Sequence, residues 1–438
     1  MANTLLRAFL SFVVAAVAIG VPVARAQVTV LPSTVQDFGI GPSADDELYQ
    51  PVPLEFGASV GIDGPIAMVG IPGYFAEDAQ GNFDPTKRGR VGVFTRSADG
   101  SSWTRTGTLA ADDLSSNENY FGAALALKGG HVAVASVGAL RIFTQTGTSW
   151  TQTETLLAQA GSPADYEPPV IMPVLAFDGR YLVVEVQTRV TINITLISLN
   201  VYSVNAAGTA QFLGSVTPPI GAGDQAIVSS IALENGTLVV GGGYFDLVAN
   251  VGHPGVWVYS SVATQPLVPQ FLAPADVTPS SQFGASVAIW NQTILVGAPN
   301  EDVNIDPVSF IGSSGAVYMF ALGSGGWTQT QKIVPGNVGS FGTSVAFNQY
   351  GALLSAPYST NNFATILGET DGYAWQGNQL VYQFSLPFQT GNSLAISGTE
   401  GIIGTNMDAD QYGEYDYGSI LTLKPAASSS AAASSAAK

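Results

Sequence analysis

Apolar residues in this chain come as pairs of short runs separated by a polar break of three or four residues. The stretch from Phe283 to Pro299, FGASVAIWNQTILVGAP, shows the form without a single ionisable side chain. The same form begins at Phe56 (FGASVGIDGPIAMVGIP), Phe341 (FGTSVAFNQYGALLSAP) and Phe121 (FGAALALKGGHVAVAS). In each, a glycine or another small residue stands fourteen positions after the Phe: Gly70, Ala135, Gly297 and Ser355. The same frame brings out weaker copies starting at Ile171, Ile227 and Thr390. Runs this short, rich in Val, Ile and Ala and joined by turns such as DG, NG or GG, predict β-hairpins. Being apolar on both faces, they are expected to lie buried between neighbouring sheets.

Each hairpin is followed by a third run carrying aromatics (RVGVFTR, ALRIFTQ, GVWVYSS, GAVYMFA) and then a fourth (WTRTGTLAA, WTQTETLLA, WTQTQKIVP). Four antiparallel strands per unit, repeated about every 50 to 65 residues, describe the blade of a propeller. The starts at 56, 121, 171, 227, 283, 341 and 390 predict an all-β, seven-bladed β-propeller over residues 27–425. The unit starting at Thr390 has only three runs before the Ala/Ser tail at 426–438, which is expected to be disordered. VTVLPST near the N-terminus resembles the fourth-strand pieces, so Val28–Gln36 is expected to complete that last blade and hide its edge.

These FG…GAP units resemble FG-GAP repeats, the sequence form of the integrin α-subunit propeller, and more closely the simpler versions in bacterial exported proteins. The resemblance spans about Val28 to Lys424 and is strongest in the units that start at Phe56 and Phe283. Physically, the glycine after the Phe permits a sharp turn into the inner strand, the Phe wedges between blades, and Pro299 ends the second strand. The resemblance to integrin repeats also raises calcium, held there in a D-x-[DN]-x-D-G-x-x-D hairpin. None of the seven hairpins here has more than one acid, so that site is not carried over.

Composition adds a destination. Arg7, an apolar run and Ala24-Arg25-Ala26 have the layout of a secretory signal peptide over residues 1–26, predicting an exported protein, extracellular or periplasmic, with no membrane insertion after cleavage. The chain has no cysteine, which excludes disulfides and thiol chemistry. Its formal net charge of −18 becomes −20 once Arg7 and Arg25 leave with the signal, and such a surface repels nucleic acid.

Most of the 32 acids fall in the loops at the end of the blades opposite the hairpins. Acidic loops keep an exported protein soluble; they also suit a cation, a basic partner or a polar glycan. The candidate ligand face there comprises Asp112, Asp113, Glu118, Glu301, Asp302, Asp306 and Tyr412. The cluster MDADQYGEYDYG places Asp408, Asp410, Glu414 and Asp416 within reach of one weakly bound calcium ion. No other cofactor is expected. No nucleophile elbow, phosphate loop or metal-binding His pair occurs, and the two histidines, His131 and His253, stand apart. Asn193, Asn235 and Asn291 fit the N-glycosylation pattern, which matters only in a eukaryotic secretory pathway. The expected function is therefore a monomeric recognition or adhesion module with a protein or glycan ligand, and not an enzyme. The alternatives are a glycan-active hydrolase or lyase using carboxylates of that face, and a structural surface-coat protein.

Overall fold

In the computed structural model, residues 36–37, 55–77, 83–111, 119–158, 169–191, 194–263, 267–302, 314–335, 339–357, 360–361, 365–366, 368–387, 391–404 and 418–422 are described. Among them there is no helix, and none therefore that is long and apolar enough to cross a membrane. The signal peptide and the Ala/Ser tail lie outside the described residues. The described strands group in sequence order into seven antiparallel units of four strands, the first two joined into one sheet by a parallel bridge from Gly89 to Phe121, and Thr360–Asn361 pairs separately with Thr365–Ile366. Blade 5 shows the plan: Ser286–Trp290, Thr293–Ala298, Ala316–Gly323 and Gly326–Ile333 pair each with the next. Blade 4 adds a short outer piece, Val251–His253, against its second strand. The innermost strand of each blade touches those of the blades before and after it, and that of the seventh touches that of the first.

The seventh blade is Ser393–Ser397, Glu400–Gly404 and Gly418–Thr422, with Gln36–Asp37 as its fourth strand. Gln36 pairs with Thr422 and Asp37 with Leu421. A two-residue N-terminal strand therefore pairs with the outer edge of the last blade. The pairing seen falls at the end of Val28–Gln36 and one residue beyond it, and residues 28–35 lie outside the described set. A second difference concerns proline as a strand stop. Thr293–Ala298 ends before Pro299, but Ile66–Glu77 runs through Pro72. A register shift between Ile71 and Phe75 takes the proline out of the ladder, which is how a strand tolerates a missing N–H.

The recurrent Phe-Gly has a packing cause. Phe56, Phe121, Phe283 and Phe341 are all completely buried. Phe283 lies among Val256, Val258 and Leu272 of blade 4 and Ile294, Val296 and Tyr318 of blade 5. Gly284 adopts φ 96°, a left-handed conformation that costs other residues about 1–2 kcal/mol.

The glycine thirteen positions further on is required for another reason. In blades 1, 4, 5 and 7 a serine three positions after the unit start donates to the carbonyl of the residue that follows the unit start in the next blade. The pairs are Ser59 to Gly122 (2.7 Å), Ser230 to Gly284 (2.9 Å), Ser286 to Gly342 (2.7 Å) and Ser393 to Gly57 (2.6 Å). A Cβ on Gly70, Gly241, Gly297 or Gly404 would overlap that same carbonyl oxygen. Serine and glycine thus act together: one bonds the next blade and the other leaves room for it. In blade 3 the glycine position is Glu185, which is buried, bonded by Gln187 (2.7 Å) and pushed above the usual carboxylate range by that burial.

Candidate functional site

The hairpin at the inner end of each blade carries a side chain seven positions after the unit start: Asp63, Lys128, Asp178, Glu234, Trp290, Asn348 and Ser397. In the sequence these hairpins bear only on calcium. The structure gives the position a different task, reaching the hairpin of the next blade. The Gly129 N–H donates to Asp63 Oδ2 (2.8 Å), the Gly236 N–H to Asp178 Oδ2 (2.9 Å) and the Asn291 N–H to Glu234 Oε2 (2.7 Å). Asn348 Nδ2 donates to the Gly398 carbonyl (2.8 Å), and the Gly64 N–H to Ser397 Oγ (3.2 Å). Lys128 lies against Gly179 of blade 3 and turns its ammonium back to Asp63 (3.2 Å). Five seams are thus fastened by a polar bond from this one frame position. The signal that would have found it is the frame itself, extended from glycines to the residue at the turn.

Between blades 5 and 6 the polar fastener is absent from this position. Trp290 replaces it and meets Phe347 of blade 6 edge-on, ring centroids 6.4 Å apart at 84°. A groove of about 430 Å³ opens at that seam. One wall is the hairpin Trp290–Thr293 with Met319, Ala321, Leu322 and Thr330 behind it; the other is Gln349, Trp375, Gly377 and Asn378. The Trp375 indole N–H donates to the Asn348 carbonyl (2.7 Å), which fixes the ring. Asn291 and Gln292 both adopt left-handed backbone, φ 45° and 60°. The other described hairpins use Gly or Asn for positive φ, so Gln292 holds a costly conformation at the groove's rim. The groove lining contains no ionisable group. A second, smaller concavity of about 310 Å³, including Asp63, Gln145 and Trp150, lies at the equivalent place between blades 1 and 2.

The loop end looks different from its sequence expectation. Glu301 is 2% exposed, its Oε1 held by Lys332 Nζ (3.2 Å), which also binds Asp276 (2.6 Å) and stands 4.8 Å above the Tyr318 ring. Burial pulls the Lys332 ammonium down, but contacts with Asp276, the Tyr318 side chain and Glu301 outweigh it and leave it raised. Glu301 is thereby consumed inside blade 5 and presents no carboxylate to a ligand. Asp302 beside it is exposed. Asp112, Asp113, Glu118, Asp306 and Tyr412 lie outside the described residues, as do the calcium candidates Asp408, Asp410, Glu414 and Asp416. Among the described residues no group of three or more acidic or His side chains is placed to hold a metal. His131 is buried against Thr144 (3.0 Å), and burial lowers its pKa. His253 stacks on Tyr244 at 4.6 Å.

Residues 270–320 match the family model described as FG-GAP repeat. No curated protein matches the chain. Solved structures that match include a protein from Lactobacillus plantarum (12% identity, 75% of this chain and 84% of that one, TM-score 0.42). Others are described as a candidate 6-phosphogluconolactonase: one from Bacteroides fragilis (12%, 76% and 85%, TM-score 0.43) and one from Bacteroides uniformis (10%, 76% and 87%, TM-score 0.46). Those descriptions overturn the expectation that the chain is not an enzyme, which is withdrawn. At such identities and TM-scores they transfer neither that reaction nor its substrate. The fold stands on the blades themselves and the matched segment: the chain is an all-β propeller protein that carries an FG-GAP repeat.

Proposed function

We propose that this chain is an exported recognition or adhesion module whose ligand meets the propeller at its hairpin end, in the seam between blades 5 and 6. FG-GAP repeats suggest a propeller binding module, and the observation that directs the ligand to this seam is the exchange of a polar fastener for Trp290 where a groove opens. A ring gains rigidity from every fastened seam. A seam where two indoles, Trp290 and Trp375, line a cleft instead forms a concave, preorganised surface suited to a ligand. The acidic loop face then serves solubility, with Glu301 withdrawn into a buried ion pair.

The test is a glycan and peptide array probed with residues 27–438 in wild-type form and as Trp290→Ala, each melted beforehand to establish folding. The reading requires ligands that the wild type holds and the variant loses. Ligands retained equally by the variant would move the site elsewhere. Turnover of a bound ligand would make the groove the mouth of an enzyme.

A further inference from the structure

We infer that the groove between blades 5 and 6 takes a neutral glycan, a conclusion that rests on the groove being the ligand site. The inference starts from what the lining contains and omits. Two indoles offer broad apolar faces with a polar edge, the form of surface on which the C–H face of a pyranose ring stacks. Around them stand four carboxamides, Asn291, Gln292, Gln349 and Asn378, all exposed. Among the described residues their side chains make no hydrogen bond: Asn291 and Gln292 are engaged only through the backbone, at Glu234 and at the Leu322 N–H. Each carboxamide is at once a two-proton donor and an acceptor. A sugar hydroxyl likewise donates and accepts, so a run of hydroxyls can satisfy both ends of every amide.

The competing occupant of an aromatic groove is a proline-rich peptide in polyproline II form. Such a peptide supplies carbonyl acceptors and few donors, so the four amide oxygens would be desolvated without partners, which is costly. An anionic ligand is disfavoured differently. In a chain of net charge −18 the groove has no cation to receive a phosphate, sulfate or carboxylate. Uncharged and hydroxyl-rich is the chemistry that remains. The strained turn at Asn291–Gln292, clamped from blade 4 through Glu234, fixes the backbone that carries two of the four amides before the ligand arrives.

The experiment titrates residues 27–438 with cello-, xylo-, manno- and malto-hexaose, with oligogalacturonate and with a proline-rich decapeptide, following tryptophan fluorescence and calorimetry. Binding of at least one neutral oligosaccharide is expected, unchanged between 0.05 and 0.5 M salt because no charge is involved. Trp290→Ala should weaken it about tenfold or more, and the surface pair Gln349→Ala with Asn378→Ala by about 3- to 10-fold without a change in melting. Binding of only the charged oligomer or the peptide, lost in Trp290→Ala, would overturn the glycan inference and leave the groove reading standing. Neutral binding that neither variant alters would overturn the groove reading itself. No binding of any neutral hexaose would overturn the inference.

Discussion

Asp371 makes the most quantitative demand on the fold. It lies in the third strand of blade 6, opposite Leu354 and Ser385, 5% exposed, with Oδ1 lacking any hydrogen-bond partner among the described residues. Burial first, and then the nearby Glu369 carboxylate, push its pKa from 3.8 to about 7. Glu369 itself accepts a hydrogen bond from Ser385 Oγ (2.8 Å). Below pH 4 Asp371 is protonated in both folded and unfolded chains, and its contribution to stability is complete. Between pH 4 and 7 the unfolded chain releases the proton while the folded chain keeps it, so stability falls; above 7 both are ionised and the loss is finished. A shift of about 3 units at 1.36 kcal/mol each gives about 4 kcal/mol as the largest loss, and relaxation around the buried charge brings the expected value to about 2–4 kcal/mol. Asp371→Asn keeps the shape and removes the titrating group. Urea unfolding of both proteins from pH 4.5 to 8.5 should show the variant gaining on the wild type as pH rises, then running parallel above pH 7.5. The difference between the two proteins is what counts, since every other acid titrates in both. Curves parallel over the whole range would refute the claim that Asp371 is neutral in the folded state.

Three further outcomes follow from the seams. Gly297→Ala should lower stability by about 1–3 kcal/mol or more, because its Cβ would overlap the Gly342 carbonyl and the Ser286 hydroxyl, whereas Gly325→Ala, in open space, should change little; thermal melting of the two compares them directly. Lys332→Met should cost about 3–5 kcal/mol by leaving the Glu301 carboxylate buried without a cation, and adding Glu301→Gln should recover most of it in the same urea series. Trp290→Asp, which puts at this frame position the residue that fastens blades 1 and 3, should melt above Trp290→Ala and yet lose the ligand; equal melting would show that the position does not act as a fastener there.

Much of the fold was legible because its strongest requirements fall on backbone and bulk. Phe-Gly recurs because a buried ring must be followed by a turn with positive φ, and both show as fixed residue types. The Gly297 position was also visible, although its cause was not: it yields to the carbonyl of the next blade, and nothing within its own unit reveals that. Glu301 and Asp302 are adjacent, acidic and in one loop, but Lys332, thirty-one residues from Glu301, withdraws one of them. In sequence the two are indistinguishable as surface acids.

The candidate groove was hidden for a further reason. Its frame position is occupied by Asp, Lys, Asp, Glu, Trp, Asn and Ser, six residue types with no chemistry common to all seven. What they share is reach toward the next hairpin, and reach becomes a property only when the ring places that hairpin alongside. Five of them use it to bond backbone or carbonyl across the seam. Trp290 reaches as far but offers its neighbour an indole edge, and the polar groups of the turn, Asn291 and Gln292, are left facing solvent. A repeat protein acquires a site most readily in this way. Five bonded seams keep the geometry of the ring, so the seam between blades 5 and 6 can exchange its fastening bond for a recognition surface.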